Sequence, residues 1–138
     1  MDRLTQVGEK AGKMMDAEIE WIGEECLIKK QTTLKICVNQ SCFSCTLDLD
    51  ISFKQLKEDG SAYNKAEIYL LPEEYPAFLQ KLRGCPIPLP TNYRQRLVAN
   101  PNIVCVYMES KEPPEHFAER LAAALEIVEK LDEQVYMN

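Results

Sequence analysis

Between Glu18 and Leu70 the apolar residues fall on alternate positions, and this regularity restricts the fold more than any other feature of the chain. Ile19 and Trp21 alternate with Glu18 and Glu20, and Leu34, Ile36 and Val38 follow a run from Cys26 to Lys30. Leu47, Leu49, Ile51 and Phe53 alternate with Asp48, Asp50, Ser52 and Lys54, and Ala66, Ile68 and Leu70 close the series. A period of two sends one set of side chains to a core and the other to water, as in a half-buried β-strand. Gly23, the Asn39-Gln40-Ser41 stretch and the polar run 57–64 with Gly60 separate these strands and mark turns. Residues 103–108 are apolar on both parities, the pattern of a strand covered on both sides.

A sheet with one apolar face needs a cover, and the sequence supplies helices for it. Leu4, Val7, Ala11, Met14 and Met15 have helical spacing. Gly8 and Gly12 each weaken that segment by about 1 kcal/mol, so residues 1–16 are expected as a frayed or partner-ordered helix. Pro72 or Pro76 opens a short helix with Phe78, Leu79 and Leu82 on its apolar side and Gly84 at its end. Pro113-Pro114-Glu115 starts a helix of about 22 residues whose stripe is Phe117, Leu121, Ala124, Leu125, Val128, Leu131 and Val135. The expected fold is α+β: one domain over 1–138, with an antiparallel meander of about five strands and helices mainly on one face. Heptad-like spacing from Leu121 to Val135 adds a secondary expectation of homodimerisation through the C-terminal helix, the alternative being that the sheet consumes the same stripe.

Sixteen Lys and Arg against 22 Asp and Glu give a net charge of −6, which argues against a duplex nucleic-acid binder working by phosphate neutralisation. The cations are unevenly placed. Residues 76–108 hold Lys81, Arg83, Arg94 and Arg96 and no acid, so the window is +4 while the rest of the chain is −10. Within it, Cys85-Pro86-Ile87-Pro88-Leu89-Pro90 lacks alternate amide donors and reads as an extended, partly exposed loop. Loops on a rigid scaffold often carry binding, and arginine suits planar anions through paired hydrogen bonds. The leading expectation is therefore a small interaction module (an inhibitor, adaptor or regulatory subunit). It would bind a protein partner or small anionic ligand through the basic loop 81–96, with Lys81, Arg83, Tyr93, Arg94 and Arg96 as contacts.

Charged residues among the first 13 leave no signal-peptide core, and no apolar run is long enough to span a bilayer, so the expected compartment is the cytoplasm, without membrane association. The six cysteines are then expected mostly as thiols. Cys37, Cys42 and Cys45 have a C-x4-C-x2-C spacing that resembles the cluster loop of plant-type ferredoxins, with Cys85 or Cys105 as a fourth ligand; this defines a third reading, a Cys-ligated metal or iron–sulfur protein. The glycines of such a loop are missing, and the leading reading expects no metal and no cofactor.

A thiol enzyme is the alternative. Leu71-Pro72-Glu73-Glu74-Tyr75-Pro76 resembles the strand-to-Tyr-Pro turn of ubiquitin-conjugating and RWD-type domains. Asn100-Pro101-Asn102, then Cys105 and Pro114 before a helix, is similar in order to the His-Pro-Asn, cysteine and helix of the conjugating enzymes. The likeness covers about a dozen residues, with Asn100 where those enzymes have His, and it implies a nucleophile at Cys105. Cys85, beside Arg83 in the loop, is the other thiol considered. His116 stands apart, and its partner Glu119 is equally compatible with a solvated helix face. No Gly-rich phosphate loop is present, and the reading leans away from an enzyme.

Overall fold

The computed structural model describes residues 2–100 and 102–137, with side chains described for all of these except 132–137. The order is α1 (Arg3–Met14), β1 (Glu18–Ile22), β2 (Glu25–Val38), β3 (Ser41–Lys54), β4 (Ala62–Leu70), α2 (Tyr75–Gly84), β5 (Arg94–Ala99), β6 (Val104–Glu112) and α3 (Pro114–Met137). The fold is α+β, with a six-stranded sheet in the order β1-β2-β3-β4-β6-β5 and every neighbouring pair antiparallel.

Register carries the alternation across the whole sheet. Ile19, Ile28, Ile51, Ala66, Met108 and Gln95 lie opposite one another in turn and form one row on the helix-covered face. One residue along, Glu18, Lys29, Asp50, Glu67, Tyr107 and Arg96 form the corresponding row on the helix-free face. Because side chains alternate, the first row meets the core and the second meets water. The core joins Ile28, Ile51, Phe53, Ile68 and Val106 of the sheet to Ala11 of α1, Phe78 and Leu82 of α2, and Phe117, Leu121 and Val128 of α3.

Three expectations change here. The sheet has a sixth strand, β5, which takes Arg94 and Arg96 out of the expected loop. Its apolar run of Leu97, Val98 and Ala99 is too short to show periodicity, and pairing with β6 makes it a strand. β6 is covered by helices on one side only: Val104, Val106 and Met108 face the core, while Cys105 and Tyr107 belong to the helix-free face. Finally, α1 is docked. Its N-cap Asp2 accepts a 2.7 Å hydrogen bond from the Thr5 amide, and its two glycines allow close approach to β1. A Cβ at Gly8 would collide with the Trp21 ring, and one at Gly12 would lie 2.7 Å from Ile19 Cγ2. The residues that lower helix propensity are the ones that permit packing.

The β2–β3 hairpin outruns its neighbours, since β1 pairs only with 25–29 and β4 only with 50–54. Asn39 and Gln40, both at positive φ, make its two-residue turn. Beside the turn, Cys37 and Cys42 face each other and are joined by a disulfide. The α3 stripe from Phe117 to Val128 is buried within its own chain, which corrects the expectation of dimerisation along that part of the helix. Val135 lies outside the described side chains. Among the described residues, no helix is long and apolar enough to cross a membrane.

Candidate functional site

The five expected contact residues divide among three settings. Lys81 and Arg83 are exposed in the last turn of α2, where cations also complement the negative end of the helix dipole. Tyr93 turns inward and packs against the core, which corrects its expected role as contact area. Its hydroxyl donates a 2.5 Å hydrogen bond to Gln95 Oε1, whose Nε2 donates to the Tyr75 hydroxyl at 2.9 Å. Burial pushes the Tyr93 phenol well above its ordinary range. Arg94 and Arg96 are exposed on β5, on the helix-free face, so the structure brings only these two together.

The loop before β5 is held by a residue the sequence reading missed. Arg120, fully buried on α3, donates from Nε to Ile87 O at 3.3 Å and from Nη2 to Pro88 O at 3.2 Å. Its guanidinium also makes a bidentate ion pair with the buried Glu112 carboxylate, which accepts a further 2.5 Å hydrogen bond from Ser110 Oγ. Prolines deprive the segment of amide donors, and Arg120 satisfies two of its carbonyls. The signal was present: Arg120 sits between Phe117 and Leu121 on the apolar stripe, a position where a cation needs a buried partner.

Around Arg94 and Arg96 the sheet forms an open cavity of about 480 Å3, whose border includes Asp50, Tyr63, Lys65, Glu67, Tyr107 and Glu109. The Arg96 guanidinium lies over the Tyr107 ring, 4.4 Å from its centroid, a cation–π contact. Glu109 accepts a 2.5 Å hydrogen bond from the Tyr63 hydroxyl, and Glu67 accepts from the Tyr69 hydroxyl at 2.8 Å and from Cys105 Sγ at 3.6 Å. These carboxylates are served by neutral donors. Among the described residues, neither Arg94 nor Arg96 makes an ion pair within 4.0 Å. Two guanidiniums thus stand exposed on the strand, outside any close ion pair among the described residues, although Arg94 lies directly opposite Glu109 across the ladder.

The competing chemistries fare differently. Cys37 and Cys42 are bonded to each other, so the expected C-x4-C-x2-C set lacks two of its three thiolates, and no metal-binding group of three or more ligands occurs among the described residues. Cys105 is buried in β6, and burial pushes its thiol upward, with the Glu67 charge acting in the same direction; the Tyr107 hydrogen bond only partly opposes them. A thiol so placed is a poor nucleophile at neutral pH. Cys85 caps the C-terminus of α2, half-buried. His116 is exposed in the first turn of α3. No protein family, characterised protein or solved structure matches the chain.

Proposed function

We propose that this chain is a small interaction module, serving as an inhibitor, adaptor or regulatory subunit, that docks an anionic partner on the Arg94 and Arg96 side of its sheet. The observation that carries the proposal is a pair of exposed arginines on the outer strand that make no ion pair within 4.0 Å among the described residues, while the neighbouring Glu109 and Glu67 accept from tyrosine hydroxyls. A second support is the fixed approach to the strand: Arg120 ties down the Pro-rich loop, so β5 is presented by a rigid frame. A cytoplasmic setting belongs to the same proposal; the four free cysteines support it, and the single Cys37–Cys42 disulfide at the hairpin tip counts against it.

The test is binding of a fluorescein-labelled poly-glutamate peptide, followed by anisotropy at low and high salt. Arg94→Glu with Arg96→Glu is expected to weaken binding by at least tenfold, about 1.4 kcal/mol or more, and to flatten its salt dependence. Unchanged binding and unchanged salt dependence in that variant would remove the site.

A further inference from the structure

Beyond the charge of β5 lies its backbone. The strand is the last in the sheet, it pairs on one side only among the described residues, and all its residues except Gln95 are exposed. An edge strand presents alternate N–H and C=O groups to solvent, and folded proteins usually blunt such edges with charge, proline or a covering loop. Here Arg94 and Arg96 supply charge to the first half only. Leu97 is 44% exposed and Val98 39% exposed, and Ala99 follows them, also open. The other edge is unlike it: β1 is lined by Glu18 and Glu20 on the helix-free face and by Ile19 and Trp21 on the docked face.

We infer that the anionic partner binds as a seventh strand, adding an extended peptide segment to β5 in antiparallel register; this rests on the proposed reading of Arg94 and Arg96 as an anion site. Strand addition reads a peptide through backbone hydrogen bonds and selects it through alternate side chains. Directly opposed residues share a face of the sheet. A residue opposite Arg94 or Arg96 therefore lies on the helix-free face, where a carboxylate meets a guanidinium. Residues opposite Leu97 and Val98 meet exposed aliphatic surface and are best apolar, while the residue opposite Gln95 is neutral. Antiparallel addition extends the pattern of every existing pair in the sheet and reverses the order of the recognised side chains. The preferred segment thus reads, from its N-terminus, apolar, apolar, acidic, neutral, acidic. A second copy of this chain fits less well, because its β5 would bring two more arginines and no carboxylate to the same ladder.

The probe is a fluorescein-labelled nonapeptide with Val-Val-Glu-Thr-Glu at its centre, titrated to about 1 mM against the full chain. Four altered peptides accompany it: one with both Glu replaced by Gln, one with the five residues in reverse order, and two carrying N-methyl groups on either alternate set of amides. The inference expects saturable binding that falls about tenfold or more with one N-methylated set and much less with the other. It also expects loss with the Gln peptide and with Arg94→Glu/Arg96→Glu, and weaker binding of the reversed peptide. If the Gln peptide fails but both N-methylated peptides bind normally, strand addition is wrong while the anion site stands. If binding ignores the Gln and arginine changes, the anion site itself is wrong. Absence of saturable binding, or a dimer by sedimentation that Val98→Pro dissociates without loss of circular dichroism signal, overturns the inference as well.

Discussion

Arg120 and the pair Arg94 and Arg96 put the same side chain to opposite uses. Arg120 is buried, bidentate to Glu112, and bonded to two loop carbonyls, so its donors are consumed inside the chain. Arg94 and Arg96 lie on an open edge strand, one of them stacked on Tyr107, with no ion pair within 4.0 Å among the described residues. The difference follows from position. A cation on the apolar stripe of α3 must find a carboxylate or leave water without compensation, whereas a cation on the outward parity of an edge strand keeps its hydration and its capacity to bind. Buried charge here organises structure, and exposed charge is left outside the close ion pairs that hold the fold.

That contrast can be broken most severely at the clasp. Arg120→Ala leaves Glu112 buried without its cation and two loop carbonyls without donors, so a loss of about 3–5 kcal/mol is expected in urea unfolding. Replacing both Arg120 and Glu112 by leucine is expected to recover much of that loss, because the penalty comes largely from the unpaired partner. A loss below about 1 kcal/mol for Arg120→Ala would mean that the pair is solvated and that the comparison fails.

Thiol labelling sharpens the same boundary between interior and surface. Cys26 is buried beneath α1 and desolvation pushes its thiol up to about 11, while Cys105 is buried in β6 and is also raised. A raised value means that the folded chain favours the protonated form, so the reactive thiolate appears only as pH climbs toward it. At pH 8 a thiol at about 11 has only a few thousandths of the thiolate fraction of an ordinary one. Mass spectrometry after brief maleimide treatment is expected to find the half-buried Cys85 and Cys45 modified well before Cys26 and Cys105. Preferential labelling of Cys105 would instead revive a thiol chemistry on β6.

A smaller effect is expected at Gln95, which links Tyr93 to Tyr75 from the inward side of β5. Gln95→Ala deprives two part-buried phenols of a partner and is expected to cost about 1–3 kcal/mol in thermal or urea unfolding. Least of all, Arg94→Glu and Arg96→Glu are expected to cost no more than about 1 kcal/mol each, the first by placing a carboxylate opposite Glu109 and the second by giving up the contact with Tyr107. A loss as large as that of Arg120→Ala would show that these arginines are structural after all.

The sheet was legible because its alternation is strong: Leu47 to Phe53 specify which face is buried, and register with Ile28 and Ala66 carries that choice across the strands. The terminal helix was legible for the same kind of reason, through Phe117, Leu121 and Val128. β5 was not, because Arg94 to Ala99 has no regular pattern and owes its conformation to β6. The cationic character of the candidate site could be read from the absence of acids in residues 76–108. Its geometry could not, since parity on a strand that had not been recognised decides that Arg94 and Arg96 face one way while Tyr93 packs inward. Tyr107 beneath Arg96 and Glu112 beside Arg120 are near in the chain but on different elements, and only strand pairing and helix docking bring them into contact.

The central claim is that β5 is an open edge able to receive an acidic strand, and amide-resolved NMR of the 15N-labelled chain during titration with the Val-Val-Glu-Thr-Glu nonapeptide tests it most directly. The account predicts saturable shifts concentrated at residues 94–99 and their β6 partners, slowed hydrogen exchange at alternate β5 amides, and loss of both in Arg94→Glu/Arg96→Glu. Shifts centred on the α2 end at Lys81 and Arg83, or on the Cys37–Cys42 hairpin tip, with β5 unmoved, would contradict it.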